Sequence, residues 1–264
     1  MYSPLKRAYL TQGHHVGKAI DLGWISLGLA NPPLHSFDDG IVAEVWFERS
    51  AGGNCVTIIH PFSDTHEILS LYGHLHRVDI VKGQKVFGNQ EIGLGGRTGV
   101  ASGPHLHYEL WIVPKGYKFD KSNYFRADRA RYIIDPFPLI NWNGTDSRKL
   151  GDTKMYNIDF SFQGKATTTS TVLRMRTQPN LSSLTVGHMP RQAQCVGKVV
   201  GKFDGYEWVA IIHDNRIVFV ASSFVKVEPN AKTVEVIKTV EVEKPINIST
   251  TIDGVSISIQ KPIK

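Results

Sequence analysis

Between Gly40 and Val113 the chain is a succession of short apolar runs separated by turns built on Gly or Pro, and no segment holds a helical period. The runs are Gly40-Ile-Val-Ala-Glu-Val-Trp-Phe, Asn54-Cys-Val-Thr-Ile-Ile-His, Ile68-Leu-Ser-Leu-Tyr, Glu91-Ile-Gly-Leu and His105-Leu-His-Tyr-Glu-Leu-Trp-Ile-Val. Between them lie turns such as Ala51-Gly-Gly-Asn, His60-Pro and Arg97-Thr-Gly. Runs this short, bounded this way, are strands. Residues 1–142 are therefore expected to form one mainly antiparallel sheet domain, with a short helix over Phe125-Arg-Ala-Asp-Arg-Ala-Arg. The polar stretch 143–154 reads as a linker. Residues 155–228 return to closely spaced strands, the pattern of a small β-barrel. Beyond them, Lys232-Thr-Val-Glu-Val repeats at Lys238, and Val255-Ser-Ile-Ser-Ile keeps alternating. Residues 229–264 are thus expected to be an extended tail that forms a hairpin, adds to a partner's sheet or self-associates, or stays a plain solvated tail. The fold class expected is all-β.

Hydrophobic residues make up 41% and charged residues 20% of 264, which supports a packed core and excludes a wholly disordered chain. No stretch approaches the length of a membrane-spanning helix, so no membrane insertion is expected. The opening residues lack the charged-then-apolar pattern of a signal peptide. Cys55 and Cys195, the only two cysteines, cannot build a Cys-based zinc site and read as buried free thiols. The net charge of +6 favours anionic partners, but Lys and Arg are scattered and no nucleic-acid motif accompanies them. No carboxylate pair suggests a glycosidase.

Histidine is more telling. Nine of the 11 histidines fall in residues 1–107. Three neighbourhoods stand out: His14-His15-Val-Gly-Lys-Ala-Ile-Asp21, Leu71-Tyr-Gly-His74-Leu-His76 and Gly103-Pro-His105-Leu-His107-Tyr-Glu-Leu. On a strand, residues two apart share a face, so His105 and His107 can converge on one point. A hydrolytic zinc site needs three protein ligands and an open position. Asp21 follows Ala-Ile and precedes Leu-Gly, a buried setting where a carboxylate needs a partner such as a cation. Any one of these features alone is usually structural; their co-occurrence in one domain gives them weight.

These residues resemble the lysostaphin-type family of zinc metallopeptidases, which cut peptide bonds in bacterial peptidoglycan. The carriers, in order, are Gly40-Ile-Val, Gly53-Asn-Cys-Val-Thr-Ile-Ile-His60, Tyr72-Gly-His74-Leu, Lys82-Gly-Gln-Lys-Val86, Gly95-Gly-Arg-Thr-Gly99 and Gly103-Pro-His-Leu-His-Tyr-Glu109. The resemblance implies a Zn2+ cofactor with Asp21 and His107 as ligands, and His74 and His105 as the catalytic pair. One of that pair would take a proton from water and the other would hydrogen-bond the oxyanion. His15 keeps the His-x-Gly form of the first ligand and lies an even six positions before Asp21, which suits one strand face. His14, seven before, would need a bulge or a loop. His15 is taken as the ligand, with His14 the alternative. Tyr72 is a candidate to assist with substrate, and a packing role for its ring stands beside that. His60 and His76 have no matching family role.

Residues 165–228 resemble a bacterial SH3-like wall-binding domain through Thr171-Val-Leu-Arg-Met-Arg-Thr-Gln-Pro, Gly205-Tyr-Glu-Trp208-Val and Val218-Phe-Val-Ala-Ser-Ser-Phe-Val. Tyr206, Trp208 and Phe219 could line a peptide groove there, although a small barrel's core suits Trp208 better. A peptidase joined to a wall-binding module, without a signal peptide, resembles a phage endolysin. Such a protein would be made in the host cytoplasm and would act on the Gram-positive wall after release. A phage tail component and a non-catalytic wall-binding relative are the alternatives.

Overall fold

The computed structural model describes residues 1–15, 18–140, 156, 158–214, 216–230, 248–252 and 255–259. These residues are almost entirely antiparallel sheet, as the turn-punctuated runs imply. The chain forms two compact units, Met1–Asn230 and Ala231–Lys264.

The strands of the N-terminal part are β1 (Tyr9–His15), β2 (Ala19–Gly23), β3 (Pro33–His35), β4 (Gly40–Trp46), β5 (Cys55–Pro61), β6 (His66–Gly73), β7 (Arg77–Val78), β8 (Lys85–Val86), β9 (Glu91–Leu94), β10 (His105–Pro114) and β11 (Ile133–Ile134). The main sheet runs β1-β2-β10-β6-β5-β4-β8, with β11 also paired to β10; β3, β9 and β7 form a small second sheet. Side-chain alternation divides β10 sharply. Leu106, Tyr108, Leu110 and Ile112 enter one core with Ile20, Leu22, Val56, Ile58, Ile68 and Tyr72. Trp111 and Val113 face the opposite way, into a second core with Trp46, Cys55, Leu71, Phe119, Tyr124 and Ile133. His105, His107 and Glu109 share that second face by parity, and Asp21 on β2 shares it too.

The expected helix begins earlier than the composition suggests, at Lys121–Tyr124. Asp120 caps it, accepting from Ser122 N at 2.7 Å while its own N–H donates to Asn123 Oδ1 at 2.8 Å. Only a single 3-10 turn, Arg129–Arg131, follows within the predicted span.

The second main sheet is built from β12 (Ile158–Asp159), β13 (Gly164–Thr168), β14 (Arg174–Arg176), β15 (Thr185–His188), β16 (Gln192–Val199), β17 (Trp208–His213), β18 (Arg216–Ala221) and β19 (Val225–Pro229). Its order is β15-β14-β18-β17-β16-β13-β19, with β12 on β16, around a core that includes Ala166, Met175, Cys195, Ile211 and Val220. It meets the first sheet through the Phe62 and Phe160 rings, 5.6 Å apart, and through Gln163 Nε2, which donates to Phe62 O at 2.9 Å. The linker expected at 143–154 and the Lys-Thr-Val-Glu-Val repeat lie outside the described residues. In the tail, β20 (Ile248–Ile252) and β21 (Val255–Ile259) pair as an antiparallel hairpin. Cys55 and Cys195 are both buried and unpaired with each other.

His60, on β5, is structural. Its Nδ1 lies 3.0 Å from Asp39 O and its Nε2 2.8 Å from Ser70 Oγ. Burial pushes its pKa from 6.5 down to about 4, so the folded protein holds it neutral while the unfolded chain protonates it below 6.5. The unfolded state then binds more protons, and stability falls as pH drops through that window, by about 3 kcal/mol in all. Urea titrations of the wild type and His60→Gln from pH 7 to pH 4 should show a flatter decline in the variant. Parallel declines would contradict this assignment.

Candidate metal centre

Asp21 stands mid-strand on β2 and pairs directly with His107 on β10, which sets their side chains side by side on one face. His15 ends β1. The β1–β2 register breaks between Leu10 and Gln12 and again between Gln12 and His15, and this irregularity re-aims His15. His15 and Asp21 therefore lie on two paired strands rather than along one strand face, and the bulge considered for His14 is what His15 uses. His14 belongs to β1 by its backbone, but its side chain lies outside the description.

The three donors converge. His15 Nε2 lies 3.4 Å from Asp21 Oδ1 and 3.3 Å from His107 Nδ1, and His107 Nδ1 lies 3.1 Å from Asp21 Oδ1. Tetrahedral zinc with bonds of about 2.0 Å places its ligand atoms about 3.3 Å apart. Two imidazoles and one carboxylate at this spacing fit such an ion.

Each ring is anchored by its other nitrogen. His15 Nδ1 contacts Gly13 O at 3.0 Å, and His107 Nε2 contacts Glu109 Oε1 at 2.7 Å. These contacts leave His15 Nε2 and His107 Nδ1 for the metal. His74 and His105 stand beside the triad, their ring centroids 4.6 Å apart. His74 Nδ1 lies 2.7 Å from Thr98 O and His105 Nδ1 lies 2.9 Å from Gly103 O. A carbonyl only accepts, so both Nδ1 atoms carry the hydrogen and both Nε2 atoms offer a lone pair. His105 Nε2 is 3.6 Å from Asp21 Oδ2.

His74 occupies the left-handed region, φ 66°, at the corner after β6. The corner is held by His74 N donating to Gly52 O at 2.7 Å, and by Asn54 Nδ2 and Thr98 Oγ1 both donating to Leu75 O. Two glycines make this knot possible. A Cβ on Gly53 would lie 2.4 Å from Thr98 C, and one on Gly99 would lie 2.4 Å from Gly53 N; both glycines have positive φ.

Charge is balanced within the site. Burial alone would raise the Asp21 carboxyl, but the hydrogen bond and charge of His107, with His105 and His15 nearby, bring it below its usual value. Burial alone would lower His107, but Asp21 on one nitrogen and Glu109 on the other push it up to about 9. Without metal, His107 is thus an imidazolium between two carboxylates, and its Nδ1 proton is the one a metal would replace. Burial pushes His74 down to about 4, so that ring is neutral at pH 7.

Among the sequence candidates, His15, Asp21, His107, His74 and His105 come together. Tyr72 does not join them. It is fully buried, its hydroxyl accepts from Phe37 N at 2.9 Å, and its ring packs against Tyr108, so it has no surface to offer a substrate. His76 is exposed. In the second sheet, Trp208 and Phe219 are core residues, whereas Tyr206 is exposed beside a cleft of 240 Å³. Glu109, Trp111 and Arg129 were not singled out from the sequence. Period-two alternation along β10 is the signal that places Glu109 and Trp111 behind His107.

The model of Peptidase family M23 matches residues 23–121. This segment is thus similar to M23 peptidase domains. His74, His105, His107 and Glu109 fall inside the match, while His15, Asp21 and Arg129 lie outside it. Over 91 residues, 34% of this chain, the sequence is 38% identical to the peptidoglycan DD-endopeptidase ShyA of Vibrio cholerae, covering 20% of that protein. Over 185 residues, 67% of the chain, it is 24% identical to the glycyl-glycine endopeptidase ALE-1 of Staphylococcus capitis, covering 47% of it. The chain thus spans less than half the length of either relative. Among solved structures, the catalytic domain of the prophage-encoded M23 protein EnpA from Enterococcus faecalis aligns with 39% of this chain and 80% of its own, at 26% identity and a TM-score of 0.33.

The protein should take up one zinc ion per chain. Competition with a chromophoric chelator should show His15→Ala, Asp21→Ala and His107→Ala each weakening zinc by about 100-fold or more, with His14→Ala near wild type. Loss in His14→Ala with retention in His15→Ala would reassign the first ligand.

Proposed function

We propose that this chain is a zinc-dependent endopeptidase that hydrolyses peptide bonds of peptidoglycan. The observation that carries this reading is the donor triad at tetrahedral spacing, flanked by His74 and His105, each anchored through Nδ1 to a backbone carbonyl. The peptidoglycan substrate is supported by the M23 match and by relatives named as peptidoglycan and glycyl-glycine endopeptidases. Zn2+ held by His15, Asp21 and His107 would supply a Lewis acid for the scissile carbonyl and for the attacking water.

The chain's own groups then divide the proton work. His105 Nε2 accepts the proton of the attacking water, and Asp21 Oδ2 at 3.6 Å supports the charge it gains. His105 then returns that proton to the leaving nitrogen. His74, neutral and fixed by Thr98 O, offers a second lone pair that orients the water. With both Nδ1 atoms committed to carbonyls, neither ring donates to an oxyanion until it has itself been protonated. This refines the division of roles implied by the family resemblance.

The second sheet would act as the wall-binding module, an SH3-like domain holding the peptidase at its substrate. Tyr206, Val172, Leu181, Phe224 and Arg174 are exposed around its cleft beside half-buried Arg176, a surface suited to a peptide. Sequence resemblance alone suggests the setting of a phage endolysin acting on Gram-positive walls after release from the host cytoplasm. Self-association through the tail is suggested only by its repeat.

Digestion of purified peptidoglycan should release new amino groups without new reducing ends, and a zinc chelator should abolish the release. His105→Ala should keep zinc and lose turnover by at least about 100-fold. New reducing ends, or full turnover in His105→Ala, would contradict the proposal.

A further inference from the structure

We propose that Arg129, outside the M23 match, is a positioning residue of the metal centre that acts through buried Glu109 on His107. The inference rests on the reading that His107 is a metal ligand. Glu109 has no exposed surface, and both of its oxygens accept hydrogen bonds: Oε1 from His107 Nε2 at 2.7 Å and Oε2 from Trp111 Nε1 at 2.6 Å. With metal on Nδ1, His107 would be a neutral ring, and neither it nor the indole would then offset a buried carboxylate's charge. Arg129 Nη2, 3.4 Å from Glu109 Oε1, supplies that charge. Among the described residues it is the only Lys or Arg within ion-pair distance of Glu109.

The guanidinium is itself built into place. It lies 4.1 Å from the centroid of the Tyr124 ring, donates through Nη1 to Tyr124 O, and its side chain is only 14% exposed. Tyr124 ends the helix capped by Asp120 and packs in the second core with Trp46 and Trp111. The chain from Phe119 to Ile133 thus closes the back of the metal centre and presents one cation to it. An Arg whose planar fork can satisfy the Tyr124 carbonyl and face a carboxylate together suits this position better than a Lys. The line of action runs from Arg129 to Glu109 to His107 Nε2, each step a direct polar contact. Its effect is to hold the His107 ring with Nδ1 toward Asp21 and His15 and to keep that nitrogen a strong donor.

The test is zinc affinity of the full chain, measured by chelator competition, together with the visible spectrum of the Co2+-loaded protein. Arg129→Gln should weaken zinc about tenfold or more and shift the cobalt bands, and Arg129→Lys should recover part of the affinity. In a Glu109→Gln background the same Arg129→Gln change should alter affinity by less than about twofold, because the charge it answers is gone. A residue that only supported folding would lower thermal stability equally in both backgrounds and leave the cobalt spectrum of the folded protein unchanged. Wild-type affinity in Arg129→Gln, or an equal loss with and without Glu109, would overturn the inference. A wild type that binds no zinc would overturn the metal reading beneath it, and the inference with it.

Discussion

His107 is gripped at both ring nitrogens by carboxylates inside the protein: Asp21 at 3.1 Å on one side and Glu109 at 2.7 Å on the other. Buried charges of this kind cost several kcal/mol each unless paired, so the surroundings are organised to answer them. The requirement explains why β2 lies against β10, with Asp21 opposite His107. It also explains why the second face of the sheet is not simply apolar. On β10 the alternate residues Leu106, Tyr108, Leu110 and Ile112 fill one core, while His105, His107 and Glu109 point the other way and give out onto Trp111 and Val113. One strand therefore carries the hydrophobic anchor of the sheet on one side and the candidate metal centre on the other. The donors need little rearrangement to meet a metal, because each imidazole is already fixed by its far nitrogen.

The two flanking histidines follow a complementary design. His74 is displaced from the strand into a left-handed corner, a conformation that costs of order 1 kcal/mol for a residue with a side chain. The corner persists because Gly52, Asn54, Leu75 and Thr98 tie it down and because Gly53 and Gly99 let two backbones touch. What reads in the sequence as recurrent Gly-Asn and Gly-Arg-Thr-Gly motifs is thus the packing of three loops against one histidine.

Much of this arrangement is legible in the sequence. The all-β class came from short apolar runs between turn residues, and period-two spacing put His105 and His107 on one face. The relation of His15 to Asp21 was legible only in part. The even spacing suggests one strand face, but His15 and Asp21 fall on two paired antiparallel strands whose irregular register no spacing rule reports. Tyr72 illustrates another limit. Its place beside His74 suggested contact with substrate, yet the corner turns His74 outward while Tyr72 stays with the opposite core. Arg129 was invisible because its partner lies 20 positions away on a strand it does not pair with; only the packing of Tyr124 brings the guanidinium to Glu109. The tail's alternation at Val255-Ser-Ile-Ser-Ile was enough to suggest a hairpin, since pairing there is local.

In the proposed site two imidazoles and one carboxylate, with no thiolate, would hold a zinc ion where β1, β2 and β10 meet. Zinc-edge X-ray absorption on the zinc-loaded protein reads that ion's first shell. The account predicts a first shell of nitrogen and oxygen alone at about 2.0 Å, with the multiple-scattering signature of two imidazoles that falls to one in His15→Ala. A sulfur shell at about 2.3 Å, or an imidazole signature unchanged in His15→Ala, would contradict it.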